Sequence, residues 1–175
     1  MGLKFFRYTW IVGVLFFLSA CGYHLEGRPE NFNPRWHSIY ISVWENPTAD
    51  IRFGEIIAEA LRERFALAGS LRLAEKDKAD LVLQGKIISI AVGGLSYDVY
   101  TKTLERRVTV RARASLIERA TGRVIWRNDN ISRFEDYPVS TATSGGSLDP
   151  GREEALRQVA HDLAEIIYHQ ITSSF

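Results

Sequence analysis

Apolar and polar positions form distinct patterns along the chain, and each pattern predicts an element. In residues 38–44, aliphatic side chains occupy every second position, as in a half-buried strand. Over residues 51–68 the apolar positions recur every four residues, which is typical of an amphipathic helix; they are Phe53, Ile57, Leu61 and Phe65. We expect Thr48 or Asp50 to cap the start of this helix and Gly69 to end it in the left-handed conformation.

The middle of the chain is rich in strand patterns. Residues 71–74 predict a short strand and residues 80–92 a long one, followed by a turn or flexible loop at Gly93-Gly94 and a further strand near Val99. In the stretch 105–117, apolar and polar side chains alternate, as in a strand with one buried face. One parity holds Val108, Val110, Ala112, Ala114 and Leu116, and the other holds Arg107, Thr109, Arg111, Arg113 and Ser115.

The end of the chain predicts a hairpin, a loop and a helix. A turn at residues 120–122 leads into a strand at 123–127, and the Ser/Thr/Gly/Pro-rich residues 138–151 indicate an exposed loop. Residues 152–171 then carry the apolar stripe of a final helix, formed by Leu156, Val159, Leu163, Ile167 and Ile171. This order of elements predicts one α+β domain over residues 36–175, a two-layer sandwich in which two helices cover one face of a mainly antiparallel sheet.

The first twenty residues have the anatomy of a signal peptide. Lys4 and Arg7 precede the apolar run 8–18, which is too short for a stable membrane span and is followed by small residues. The sequence Leu-Ser-Ala-Cys at positions 18–21 resembles the bacterial lipobox. We therefore expect residues 1–20 to be removed and Cys21, the only cysteine, to be the lipid attachment point at the head of a loop, residues 21–35.

Other fates of this cysteine are a reactive thiol or a buried, inert one in an uncleaved apolar segment. By resemblance to the sorting rules of such lipoproteins, Gly22 rather than aspartate after the cysteine favours the outer membrane. The domain would then face the periplasm on a lipid tether.

Composition argues against several classes of function. The chain has 22 Lys and Arg against 21 Asp and Glu, so its overall charge does not call for nucleic acid as a partner. A single cysteine makes no internal disulfide, and the four histidines fall in no catalytic or zinc-binding motif. We therefore expect neither an enzyme nor a bound metal or cofactor.

The alternating positions of 105–117 that carry arginines are the best candidate for a binding site. Arg107, Arg111 and Arg113 would lie on the sheet face opposite the helices, and guanidinium groups bind phosphate bidentately. For a periplasmic lipoprotein, the nearest phosphorylated ligand is the lipid A part of lipopolysaccharide. Alternatively, these arginines pair with acidic residues in a solvated face, or lie against the polar interior wall of a partner; the acidic residues considered are Glu105, Glu118, Asp129 and Glu135.

Three stretches together resemble the lipopolysaccharide-assembly lipoprotein family LptE. They are LSACGYHL, IYISVWENPTADIRFGEIIAEALRERF and RRVTVRARASLIERATGRVIW. The resemblance implies a sandwich of two helices and four strands inside the outer-membrane β-barrel LptD, as a plug and assembly chaperone that helps to pass lipopolysaccharide to the cell surface without catalysis. By position in the hairpin, it also implies lipopolysaccharide contacts from Arg107, Arg111 and Arg113.

Two other classes of lipoprotein share such a tether and a small domain. An outer-membrane activator of a cell-wall synthase often needs a long spacer, whereas about 14 residues here reach at most roughly 50 Å. An auxiliary lipoprotein of a lipid transporter would need an apolar cavity, which the sequence does not test. The short spacer favours a partner in the same membrane.

Overall fold

The computed structural model describes residues 33–97, 103–139 and 150–175. Its elements in chain order are β1 (Ser38–Ile41), α1 (Phe53–Ala68), β2 (Arg72–Leu73), β3 (Leu81–Tyr97), β4 (Thr103–Glu118), β5 (Arg123–Pro138) and α2 (Pro150–Ser173). The expected signal peptide, Cys21 and most of the predicted loop 138–151 lie outside the described residues.

The sheet has five strands in the order β2-β1-β3-β4-β5. Strands β3, β4 and β5 pair antiparallel, whereas β1 runs parallel to both of its neighbours, β2 and β3. The expectation of a mainly antiparallel sheet of four strands is therefore wrong in the number of strands, and the sheet is mixed because β1 pairs in parallel. The cause is α1, which returns the chain to the starting end of β1, so that β2 begins beside Ser38 and runs in the same direction.

Both helices pack on one face of this sheet, as predicted. The four apolar positions of α1 are buried, and so are the five of α2. They meet the apolar parity of β4, in which all five residues from Val108 to Leu116 are also buried. The periodicity of the sequence thus identified the buried side of each of these elements, because burial on one face requires that spacing.

The two ends of α1 differ in how well the sequence predicted them. Gly69 has φ 66° and donates its N–H to the carbonyl of Phe65 at 3.1 Å, which confirms the left-handed end. The predicted side-chain cap is wrong, because neither candidate side chain bonds the helix start. The Asp50 carboxylate instead accepts a hydrogen bond from Arg152 at 2.6 Å, and the Thr48 hydroxyl donates to Asn46 at 2.7 Å.

The predicted turn at Gly93-Gly94 is also wrong, because β3 continues through both glycines to Tyr97. Gly93 lies opposite Arg107 and Gly94 opposite Arg106, and the register shifts between Gly94 and Ser96. The irregularity that glycine permits is absorbed as a bulge rather than a turn. Strand β5 likewise extends far beyond the predicted 123–127, and the three last strands are 17, 16 and 16 residues long.

Candidate functional site

Strand β4 presents its two parities to different surroundings. The apolar parity is buried against the helices, and Arg107, Arg111 and Arg113 lie on the opposite face, which no helix of the described residues covers. We call this surface the open face. The sequence prediction that the three arginines share a face opposite the helices is correct, because strict alternation leaves a strand no other arrangement.

Arg107 already has an acidic partner within the chain. Its Nε and Nη2 donate to the two carboxylate oxygens of Asp136, both at 2.7 Å, and Asp136 lies directly opposite on β5. The guanidinium also lies over the ring of Phe134, 4.0 Å from its centre. The hydrogen bond from Arg107 lowers the pKa of Asp136, and the same bond raises the pKa of Arg107. Pairing with an acid therefore holds for Arg107, with Asp136 rather than one of the four acids considered.

Arg111 and Arg113 are different. Both side chains are exposed, and neither has an acidic partner within the described residues. Arg111 lies between Ser89 of β3 and Ser132 of β5, so its cross-strand neighbours are small and uncharged. A planar cation with no carboxylate to neutralise it keeps its hydrogen-bonding fork available to an anion from outside the chain.

Arg113 lies in a shallow groove of about 430 Å³ on the open face. Two further cations flank it: Lys86, directly opposite on β3 and paired with Glu45, and Arg127, which donates to Asp129 at 2.8 Å. The polar part of the lining is completed by Ser42, Gln84 and Ser115. An anion in this groove would lie near Arg113 and near two cations that are already paired with carboxylates.

Sequence reasoning missed Lys86 as a member of this surface. Its position on the same strand parity as Gln84 was visible, but its place opposite Arg113 depends on the β3–β4 register. Arg106, next to Arg107 in β4, lies on the helix side of the sheet, opposite the buried Tyr137. Arg123 lies beside the β4–β5 turn, where its Nη2 is 3.9 Å from Oε2 of Glu118.

The described residues contain no group of three or more histidine, cysteine, aspartate or glutamate side chains placed to hold a metal ion. His169 contacts Glu165 at 2.7 Å on the surface of α2. No described helix is both long and apolar enough to cross a bilayer.

Comparison with solved structures finds the same fold in several lipoproteins. Uncharacterized lipoprotein B from Nitrosomonas europaea matches with a TM-score of 0.56 and 16% identity, covering 85% of this chain and 86% of that one. A putative lipoprotein from Caulobacter crescentus matches with a TM-score of 0.55 and 14% identity, over 76% and 88%. Rare lipoprotein B from Shewanella oneidensis gives 0.50 and 18%, over 77% and 95%. At these identities the likeness concerns the fold alone.

Comparison with curated proteins gave no match. A sequence model of the family described as "LptE: Lipopolysaccharide-assembly", however, matches residues 36–171. The match spans both helices up to Ile171 and every strand of the sheet, including the arginine-bearing β4. The chain therefore belongs to the lipopolysaccharide-assembly family LptE.

Proposed function

We propose that this protein is a non-enzymatic outer-membrane lipoprotein of lipopolysaccharide assembly. It is anchored by lipid on Cys21 after removal of residues 1–20, and its domain occupies the lumen of an LptD-like β-barrel. There it plugs the barrel, helps it to assemble and assists delivery of lipopolysaccharide to the cell surface. The observation that carries this proposal is the family match over residues 36–171.

The open face supports the barrel location. None of the described helices covers it, and it carries ionised side chains of both signs, including the Arg107–Asp136 and Arg127–Asp129 pairs. Large outer-membrane barrels have polar interiors, so a charged face suits their lumen better than an apolar one. The acidic members of these pairs also keep the face from being uniformly basic.

Arg111 and Arg113 are the residues that contact the glycolipid in this proposal. These two exposed guanidinium groups lack an acidic partner among the described residues, and they lie on alternate positions of one strand, about 6.6 Å apart along its axis. Lipid A phosphates need such cations. Arg107 supports the surface instead of binding, because its fork is held by Asp136.

The partner is tested by purifying the tagged full-length chain from detergent-solubilised outer membranes and identifying what accompanies it. We expect a large β-barrel protein in about equal amount. Recovery of a cell-wall synthase, or of lipid without a barrel, would contradict the plug and favour one of the other two lipoprotein classes.

The glycolipid contact is tested with the double variant Arg111→Glu/Arg113→Glu. We expect lipopolysaccharide binding by the full-length chain to weaken by about tenfold or more at low salt, because two charge-assisted hydrogen-bonding groups are replaced by anions. The matched control is Arg52→Glu/Lys76→Glu, which changes the net charge equally at two exposed positions outside the sheet. Equal binding by both variants, at low and at physiological salt, would exclude a specific contact at Arg111 and Arg113.

A further inference from the structure

The two edges of the sheet are protected very differently. At one edge, β2 is only 2 residues long and offers almost no free backbone. At the other edge, β5 is 16 residues long and, among the described strands, pairs with β4 alone. A long unpaired edge exposes a row of N–H and C=O groups to another strand, and proteins usually shorten, bend or cover it.

The first half of β5 is bent by a bulge. The register with β4 shifts between Ala112 and Ala114, which leaves Asp129 and Asn130 without a cross-strand partner. The N–H of Asn130 bonds the side chain of Asn128 at 2.9 Å instead. This half is therefore poorly shaped for an incoming strand.

The second half, Ile131–Tyr137, has no such protection. Its register with β4 is continuous, and within the described chain no backbone hydrogen bond reaches it from outside the β4–β5 ladder. Phe134, at its middle, is 50% exposed on the open face. A regular strand segment with an exposed aromatic residue at its centre is suited to pairing with another strand.

The sequence of this segment is complementary to itself. In an antiparallel pair of two copies centred on Phe134, each Arg133 faces Glu135 of the other copy, and the two Phe134 rings are neighbours. Neither Arg133 nor Glu135 has an ion-pair partner within the described residues of its own chain. Any shift of register by two residues breaks both charge pairs at once.

We propose that β5 is a docking edge for a second copy of this chain. The two β5 strands pair antiparallel about a two-fold axis through Phe134, and they join the two sheets into one continuous sheet with all helices on the same side. Residues opposed in an antiparallel ladder point to the same face, so the open faces of the two copies also become continuous. This state concerns the chain outside any barrel and does not depend on the function proposed above.

A charge-swap experiment tests the pairing. The full-length chain, purified alone in detergent, is examined by sedimentation equilibrium over a range of concentrations. We expect a monomer–dimer equilibrium that Arg133→Glu or Glu135→Arg weakens by about tenfold or more, since each single change places like charges opposite one another. The double variant Arg133→Glu/Glu135→Arg restores the opposition of unlike charges and is expected to dimerise within about threefold of the original chain.

A circular dichroism spectrum for each variant shows whether it is folded, so that a loss of dimer is not mistaken for unfolding. A wild-type chain that stays monomeric throughout would overturn the proposal. So would a folded double variant that fails to regain the dimer.

A cysteine experiment tests the register independently. Opposed residues of an antiparallel pair lie about 4.5–5.5 Å apart between Cα atoms, within reach of a disulfide. Under mild oxidation, Phe134→Cys is therefore expected to cross-link to itself, whereas Ser132→Cys cross-links only to Asp136→Cys of another copy. The wild-type chain, with Cys21 alone, is the baseline. Equal self-linking at 132 and 134 would contradict the two-fold centre at Phe134.

Discussion

At the scale of single residues, Trp44 packs closely against two glycines. The Trp44 ring is buried against Gly85 of β3, and a Cβ at position 85 would overlap the ring carbons. Gly54, in the first turn of α1, lies just as close to the Trp44 carbonyl. The Gly54 carbonyl also accepts a hydrogen bond from the backbone N–H of Trp44 at 3.2 Å. Trp44 thus fixes the segment after β1, with its side chain against the sheet and its backbone against the first helix.

We expect Gly85→Ala to lower the free energy of unfolding by about 1–3 kcal/mol, as overpacking does in a filled core. Gly93→Ala is the control, since position 93 lies in the same strand and an added Cβ there meets nothing within 4 Å. Denaturant titration of the two variants measures the difference. If Gly85→Ala were as stable as Gly93→Ala, the packing of Trp44 on the strand would not be tight.

At the scale of elements, the sequence predicts the periodic patterns that depend on neighbours along the chain. The stripes of both helices and the two parities of β4 were predictable because helices and strands repeat every 3.6 and 2 residues. The parallel direction of β1 was not, since it depends on where α1 delivers the chain. The Arg107–Asp136 pair was missed for a related reason: these residues are opposed only in the β4–β5 register, which no local pattern fixes.

The end of α1 gives a prediction at this scale. Gly69 has φ 66°, a conformation that costs other L-residues roughly 1–2 kcal/mol, and an added Cβ there meets no neighbour within 4 Å. We therefore expect Gly69→Ala to lower the free energy of unfolding by about 1 kcal/mol through backbone strain alone. Gly69→Asn should cost less, because asparagine tolerates the left-handed region. Equal losses for the two variants in denaturant titrations would point to a different cause.

For the molecule as a whole, carboxylates join parts that are distant in sequence. Asp80, at the start of β3, accepts hydrogen bonds from the backbone N–H groups of His37 and Ser38 at 2.8 and 3.0 Å and from the Ser38 hydroxyl at 2.8 Å. Burial alone would raise the pKa of Asp80, but these hydrogen bonds outweigh it and lower the pKa. The carboxylate thereby fixes the beginning of β1 to the beginning of β3.

Three other carboxylates also have a lowered pKa, because each accepts hydrogen bonds that join different parts of the fold. The pKa of Glu118 is lowered by hydrogen bonds from Thr121 and Trp36, and that of Asp136 by the bond from Arg107 across the β4–β5 ladder. For Glu165 of α2, burial opposes ionisation, but a hydrogen bond from an arginine of α1 prevails and the pKa falls. These ionised carboxylates therefore link β4 to β5, the segment before β1 to the β4–β5 turn, and the two helices to each other.

These shifts predict that the protein loses stability in acid. Each group has a folded pKa below its ordinary value of 3.8 or 4.5, so the unfolded chain binds protons first as the pH falls. Their stabilisation is complete about one pH unit above these ordinary values and is lost as the pH falls through them toward the lower folded values. We expect the free energy of unfolding, measured by denaturant titration from pH 7 to pH 3, to be flat at first and then to decline. Asp80→Asn should cost about 1–2 kcal/mol at pH 7, because hydrogen bonds to a charged acceptor are stronger, and should make the decline shallower. An unchanged acid slope in that variant would show that the Asp80 carboxylate does not hold β1 to β3.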